Sequence, residues 1–141
     1  QVFAQWAAQF EPRLTALRRE VTFGQSRLDF CLETEKGLHL VEVKGVTLEE
    51  DGVARFPDAP TERGVKHIRE LQKAVENGLE ATLFFVVQME KCDYFTPNRE
   101  RHEAFAEALR NAFNNGVDVK CVNCKVEPDS LEILDFVEVR L

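Results

Sequence analysis

Residues 38–46 read Leu-His-Leu-Val-Glu-Val-Lys-Gly-Val, an apolar run interrupted by Glu42 and Lys44. Successive side chains of a strand point to opposite faces, so these two charges project from the same side, two residues apart. Charges inside an apolar segment cost several kcal/mol per ion unless they are paired, solvated by a cleft or bound to a metal. Two readings follow: an i,i+2 ion pair on the wet face of an edge strand, or a site. Asp118-Val119-Lys120 repeats the acid-x-Lys pattern in the same chain, so the tripeptide alone decides nothing.

Context separates the two copies. The run before Glu42 carries Asp29 within Arg27-Leu28-Asp29-Phe30, and the run before that carries Glu20. Strand-like runs at 14–23, 26–33 and 38–48 are separated by Gly24 and Glu35-Lys36-Gly37, which predicts an antiparallel meander. Neighbouring strands bring side chains to about 5 Å, so Asp29 and Glu42 can converge on one ion with Lys44 beside them. The run before Asp118 is Leu-Phe-Phe-Val-Val-Gln and offers no acid, so Asp118 and Lys120 read as structural.

Further out, residues 2–10 read as an apolar helix stopped near Pro12. Residues 49–60, with Gly, Asp and two prolines, read as a long loop lining a site. Thr61 is placed to cap a helix that runs to Asn77 and stops at Gly78. Val65, Ile68, Leu71, Ala74 and Val75 form its inward stripe. Residues 81–88 are short and almost wholly apolar, which predicts a central strand covered on both faces. A second helix is expected from Thr96-Pro97-Asn98 to Asn114, with Phe105, Ala108, Leu109, Ala112 and Phe113 inward. Strands at 117–126 and 133–139 complete an α/β domain over 1–141.

The chain has 141 residues, 44% of them hydrophobic and 30% charged, which excludes a disordered tail or a fibrous repeat. No apolar run approaches the roughly 18 residues that span a bilayer. The net charge of −7 leaves no global excess of Lys and Arg to neutralise phosphates, so a firm grip on nucleic acid would need a local basic patch or a second domain. Cys31, Cys92, Cys121 and Cys124 lack the density of a disulfide framework and read as reduced thiols in a cytoplasm. The Cys121-x-x-Cys124 pair has no matching second pair for a zinc site, so packing is the expectation. A start at Gln1 suggests a chain that begins inside a longer one.

Positive charge gathers at Arg55, Arg63, Lys66, His67 and Arg69, with Arg27 just before Asp29. Near a helix N-terminus, Arg63, Lys66 and His67 on one side would suit phosphate. With Glu62 and Glu70 interspersed, a solvated charged face is the other reading. His39 is expected to be packed and His102 to lie on the surface.

Asp29 followed by Glu42-x-Lys44 on the next strand resembles the PD-(D/E)xK nuclease superfamily motif. The runs SRLDF (26–30), VEVKGVTL (41–48), FPDAPTERGVKHIREL (56–71), TLFFVVQ (82–88), YFTPN (94–98) and GVDVKC (116–121) are similar to the sugar fermentation stimulation protein A family over nearly the whole chain. The resemblance implies a restriction-endonuclease-like α/β fold, a central mixed sheet with an αβββαβ core flanked by helices. It also implies an Mg²⁺- or Mn²⁺-dependent phosphodiesterase acting on nucleic acid. Asp29, Glu42, the Val43 carbonyl and Glu20 would be ligands, Glu11 competing for the last place, and Lys44 would orient the attacking water or stabilise developing charge. The family's N-terminal OB-fold-like module, implicated in DNA binding, has no counterpart here, and RHEAF (101–105) lacks the Asp-Pro often found at that point. The family name also implies a rival: a non-catalytic DNA-binding regulator of sugar (maltose) metabolism that keeps the fold. A small-molecule phosphate enzyme is a third reading.

Overall fold

In the computed structural model, residues 14–23, 26–34, 37–128 and 130–141 are described; the expected helix at 2–10 and Glu11 lie outside them. Among the described residues, the elements follow in the order β1 (Leu14–Phe23), β2 (Ser26–Thr34), β3 (Gly37–Val46), β4 (Leu48–Glu50), β5 (Val53–Phe56), α1 (Glu62–Glu76), β6 (Glu80–Val87), β7 (Tyr94–Pro97), α2 (Glu103–Asn114), β8 (Asp118–Glu127), β9 (Ser130–Phe136) and β10 (Glu138–Val139). The fold is mixed α/β.

The main sheet has strand order β1-β2-β3-β6-β8-β9. The expected meander is present: β1 pairs antiparallel with β2, and β2 with β3. β3, β6 and β8 then run parallel, and β9 returns antiparallel. Parallel neighbours require crossovers, and α1 and α2 lie on those two connections. β3 is thus an interior strand, and the edge-strand reading of Glu42 and Lys44 is excluded.

Alternation sorts the strands into two apolar layers. Leu40, Val46, Leu83, Phe85, Val119 and Cys121 pack with Val65, Ile68, Leu71 and Ala74 of α1 and Phe105, Leu109 and Ala112 of α2. Phe30, Leu32, Val41, Phe84, Val86, Val122 and Cys124 form the other layer, to which, among the described residues, neither α1 nor α2 contributes. The apolar run of β6 is buried from Ala81 to Val87 because it feeds both layers.

Three expectations are corrected. Residues 49–60 are not all loop: β4 and β5 form a hairpin, with Leu48 opposite Arg55 and Glu50 opposite Val53. Asp51 and Gly52 turn it with φ of 53° and 84°, the positive values that favour Asp-Gly in two-residue turns. The second helix does not begin at Thr96. Tyr94–Pro97 is instead β7, parallel to β5 and β10 in a second sheet of order β10-β7-β5-β4, and the helix starts at Glu103. The Asn98 side chain donates to the Pro57 carbonyl at 3.0 Å, and its N–H to the Phe56 carbonyl at 2.9 Å, which binds this segment to the end of β5 instead of a helix. Phe113 is 50% exposed, and Ala106 takes a place on the inward stripe. The second sheet is anchored by its aromatics: Phe95 stacks on Phe85 at 4.2 Å between centroids, and Phe56 lies 5.6 Å from Phe85 and 5.3 Å from Phe105. Among the described residues no helix is long and apolar enough to cross a membrane.

Candidate functional site

Glu42 and Lys44 share the parity of Leu40 and Val46, so they point toward the face covered by α1. Glu42 is 4% exposed. The β2–β3 register runs from Thr34↔Gly37 to Phe30↔Val41. Just past it the Asp29 carboxylate takes over as acceptor, receiving the Val43 N–H on Oδ2 at 2.8 Å. That bond holds Asp29 against β3 beside Glu42.

Lys44 Nζ lies 3.6 Å from Glu42 Oε1 and 3.0 Å from His67 Nδ1, while His67 Nδ1 is itself 3.6 Å from Glu42 Oε1. His67 is delivered by α1. The start of that helix is tied down twice: Thr61 Oγ1 accepts the Gly64 N–H at 2.9 Å, and the Thr61 N–H donates to His102 Nδ1 at 3.1 Å.

Burial pushes the Glu42 carboxyl up from 4.5 to about 8, and the neighbouring Asp29 carboxylate adds to the rise by favouring the protonated acid; Lys44 pulls the other way. Burial, with the charges of Lys44 and Arg63, pushes His67 down from 6.5 to about 4, so its imidazole is neutral at physiological pH. Glu42 Oε2 is buried and has no hydrogen-bond partner. A buried oxygen with nothing to accept from is costly, and a cation is one group that would satisfy it. Asp29 and Glu42 thus offer hard oxygens suited to Mg²⁺ or Mn²⁺, which keep several waters and need few protein ligands. Among the described residues no set of three or more His, Cys, Asp and Glu side chains is arranged to hold an ion.

The remaining candidates divide. Glu20 lies on β1 between Arg19, opposite Phe30, and Val21, opposite Leu28, so its backbone runs beside Asp29. Arg27 lies on β2 opposite Thr22. The side chains of both are outside the described residues. Arg63, Lys66 and His67 differ in burial: Arg63 and Lys66 are exposed, whereas His67 is 4% exposed and shares the inward face with Gly64, Ile68 and Leu71. That inward row was readable from the three-to-four spacing. Arg55 is half-buried beside a separate hollow of about 400 Å³ that also takes in Asp58, Asn98 and Arg101. Arg69 borders a groove between α1 and α2.

His39 is hydrogen-bonded through Nε2 to Thr82 Oγ1 at 2.6 Å, and its Nδ1 lies 3.2 Å from Glu80 Oε2. His102 is no bare surface residue; it occupies the N-cap of α2 and accepts from Thr61. Sequence reasoning missed that tie, because the two residues are 41 apart. Asp118 and Lys120 pair at 3.3 Å near the surface of β8. Cys121 and Cys124 are buried in opposite layers, which removes them as a joint metal or redox pair.

Residues 1–130 match the family described as "Sugar fermentation stimulation protein RE domain". A "Sugar fermentation stimulation protein homolog" of Desulfitobacterium hafniense (strain Y51) is 51% identical over 142 residues, covering 100% of this chain and 62% of the relative. A homologue of the same name from Ruminiclostridium cellulolyticum is 47% identical over 128 residues, covering 91% and 57%. The chain therefore spans about three-fifths of the length of such relatives. Among solved structures, "The structure of Pyrococcus Furiosus SfsA in complex with Ca2+" superposes with a TM-score of 0.87 at 29% identity, covering 99% of this chain and 61% of that one. A family match over nearly all its residues, relatives at half identity and a shared fold lead to one conclusion: the chain belongs to the sugar fermentation stimulation protein (SfsA) family.

Proposed function

We propose that residues 1–141 form a PD-(D/E)xK-type nuclease domain that hydrolyses phosphodiester bonds in nucleic acid with Mg²⁺ or Mn²⁺. The observation that carries this reading is the buried, unpartnered Glu42 Oε2 beside Asp29 and Lys44. Asp29 and Glu42 would hold the cation, with the Val43 carbonyl and Glu20 as further ligands. Bound there, a divalent cation supplies charge neutralisation at the phosphate and acidifies an attacking water. Lys44 stabilises the negative charge that develops on the phosphoryl oxygens, a contribution whose loss costs about 10²–10³ in rate. Arg63 and Lys66, exposed on α1, contact flanking phosphates. The Ca²⁺ named with the Pyrococcus furiosus relative supports the reading, because Ca²⁺ takes oxygen ligands. A cytoplasmic location fits four free thiols.

Calorimetric titration with Mn²⁺ tests the site: the parent chain should bind and Asp29→Ala should not. Incubation with single-stranded, duplex and branched DNA and with RNA tests the chemistry, and Lys44→Met should abolish any product. The family's name favours a second reading, a DNA-binding regulator of sugar metabolism that retains the fold. Metal uptake and DNA retention in gel shifts, without cleavage of any substrate, would select it.

A further inference from the structure

The Lys44 ammonium has two acceptors in reach and sits nearer the imidazole, 3.0 Å from His67 Nδ1 against 3.6 Å from Glu42 Oε1. An ammonium only donates, so a bond at 3.0 Å requires a bare lone pair on Nδ1, which leaves the ring proton on Nε2. The ring is held by the packing of α1, since His67 lies in the buried row with Gly64, Ile68 and Leu71. Without that acceptor, the flexible lysine stem would let the ammonium close on Glu42 whenever it ionises, and low dielectric would strengthen that pair. A Glu42 held in a tighter ion pair by its own neighbour would take up a cation less readily.

We infer that His67 is a positioning residue whose Nδ1 holds the Lys44 ammonium off Glu42, leaving the carboxylate open to a divalent cation and the ammonium open to a phosphate. This rests on the metal-site reading above and adds the group that sets where Lys44 stands. It also replaces direct phosphate binding as the role of His67, whose Nδ1 is already engaged.

The test is Mn²⁺ affinity by calorimetry on the full chain. His67→Leu should weaken binding about 10–100-fold, the range for partners that orient metal ligands. His67→Asn, which can place an amide oxygen where Nδ1 stood, should bind close to the parent. Lys44→Met added to His67→Leu should restore affinity, because no ammonium remains to compete. A role in folding alone would not produce that rescue. A His67→Leu chain that binds as the parent does, or a double variant as weak as His67→Leu, overturns the inference while the metal reading stands. A parent chain that takes up no Mn²⁺ overturns both. Should His67→Leu fail to fold, ¹⁵N NMR of the parent ring decides: a bare Nδ1 that shifts on Lys44→Met supports the inference, and a protonated Nδ1 refutes it.

Discussion

Asp29 Oδ2 accepts the Val43 N–H where the regular β2–β3 register stops, so one carboxylate both closes the strand pair and faces Glu42. The two duties separate by substitution. Asp29→Asn keeps an acceptor and should unfold within about 1 kcal/mol of the parent, whereas Asp29→Ala strands the N–H and should cost about 1–3 kcal/mol in urea denaturation. Both should lose Mn²⁺ affinity. The neighbouring titrations give a pH signature in chelator. Glu42 rises from 4.5 to about 8, so between those values the folded chain holds a proton the unfolded chain has lost. His67 falls from 6.5 to about 4, so between those values the folded chain lacks one the unfolded chain has bound. The slopes oppose each other up to pH 6.5; above it only Glu42 acts, and stability should fall by about 2 kcal/mol on the way to pH 8. Glu42→Gln should flatten that fall in urea midpoints. The parity of Glu42 and Lys44 was legible in nine residues of sequence, but the contact of Lys44 with His67 was not, because α1 had first to be laid across the sheet.

At the scale of elements, α1 sets the distance between His67 and β3, and its first turn is closely packed. A Cβ at Gly64 would stand 2.8 Å from Thr61 Cγ2 and 3.2 Å from the Phe105 ring. Ala normally stabilises a helix over Gly by about 1 kcal/mol. Here overpacking should reverse the sign, and Gly64→Ala should destabilise by about 1–3 kcal/mol in thermal or urea melts. The Thr61 cap and the α1 stripe were written locally and could be read. The β4–β5 hairpin was written as Asp51-Gly52 but hidden by the surrounding prolines. β7 carried no local sign at all. Four residues at 94–97 become a strand because β5 and β10 flank them, a long-range choice that outweighs the helix-starting look of Thr-Pro-Asn.

Over the whole molecule, the two apolar layers decide what the cysteines can do. Cys31, Cys121 and Cys124 are buried, and burial pushes the thiols of Cys121 and Cys124 up. Cys92 is half-buried, and burial raises its thiol as well. Alkylation of the native chain should therefore label Cys92 alone, and slowly, while all four react in denaturant; intact-mass spectrometry counts the adducts. Label on Cys121 or Cys124 before unfolding would contradict the layered packing.

Local sequence determined the meander, the apolar central strand, the capped helix and the same-side projection of Glu42 and Lys44, because periodicity and turn chemistry act over a few residues. Tertiary structure alone decided that β3 lies inside the sheet, that residues 48–56 and 94–97 join a second sheet, and that His67 meets Lys44 while Arg63 and Lys66 face outward. Those outcomes depend on contacts between residues 23 or more positions apart, whose strength comes from burial that no short window of sequence contains.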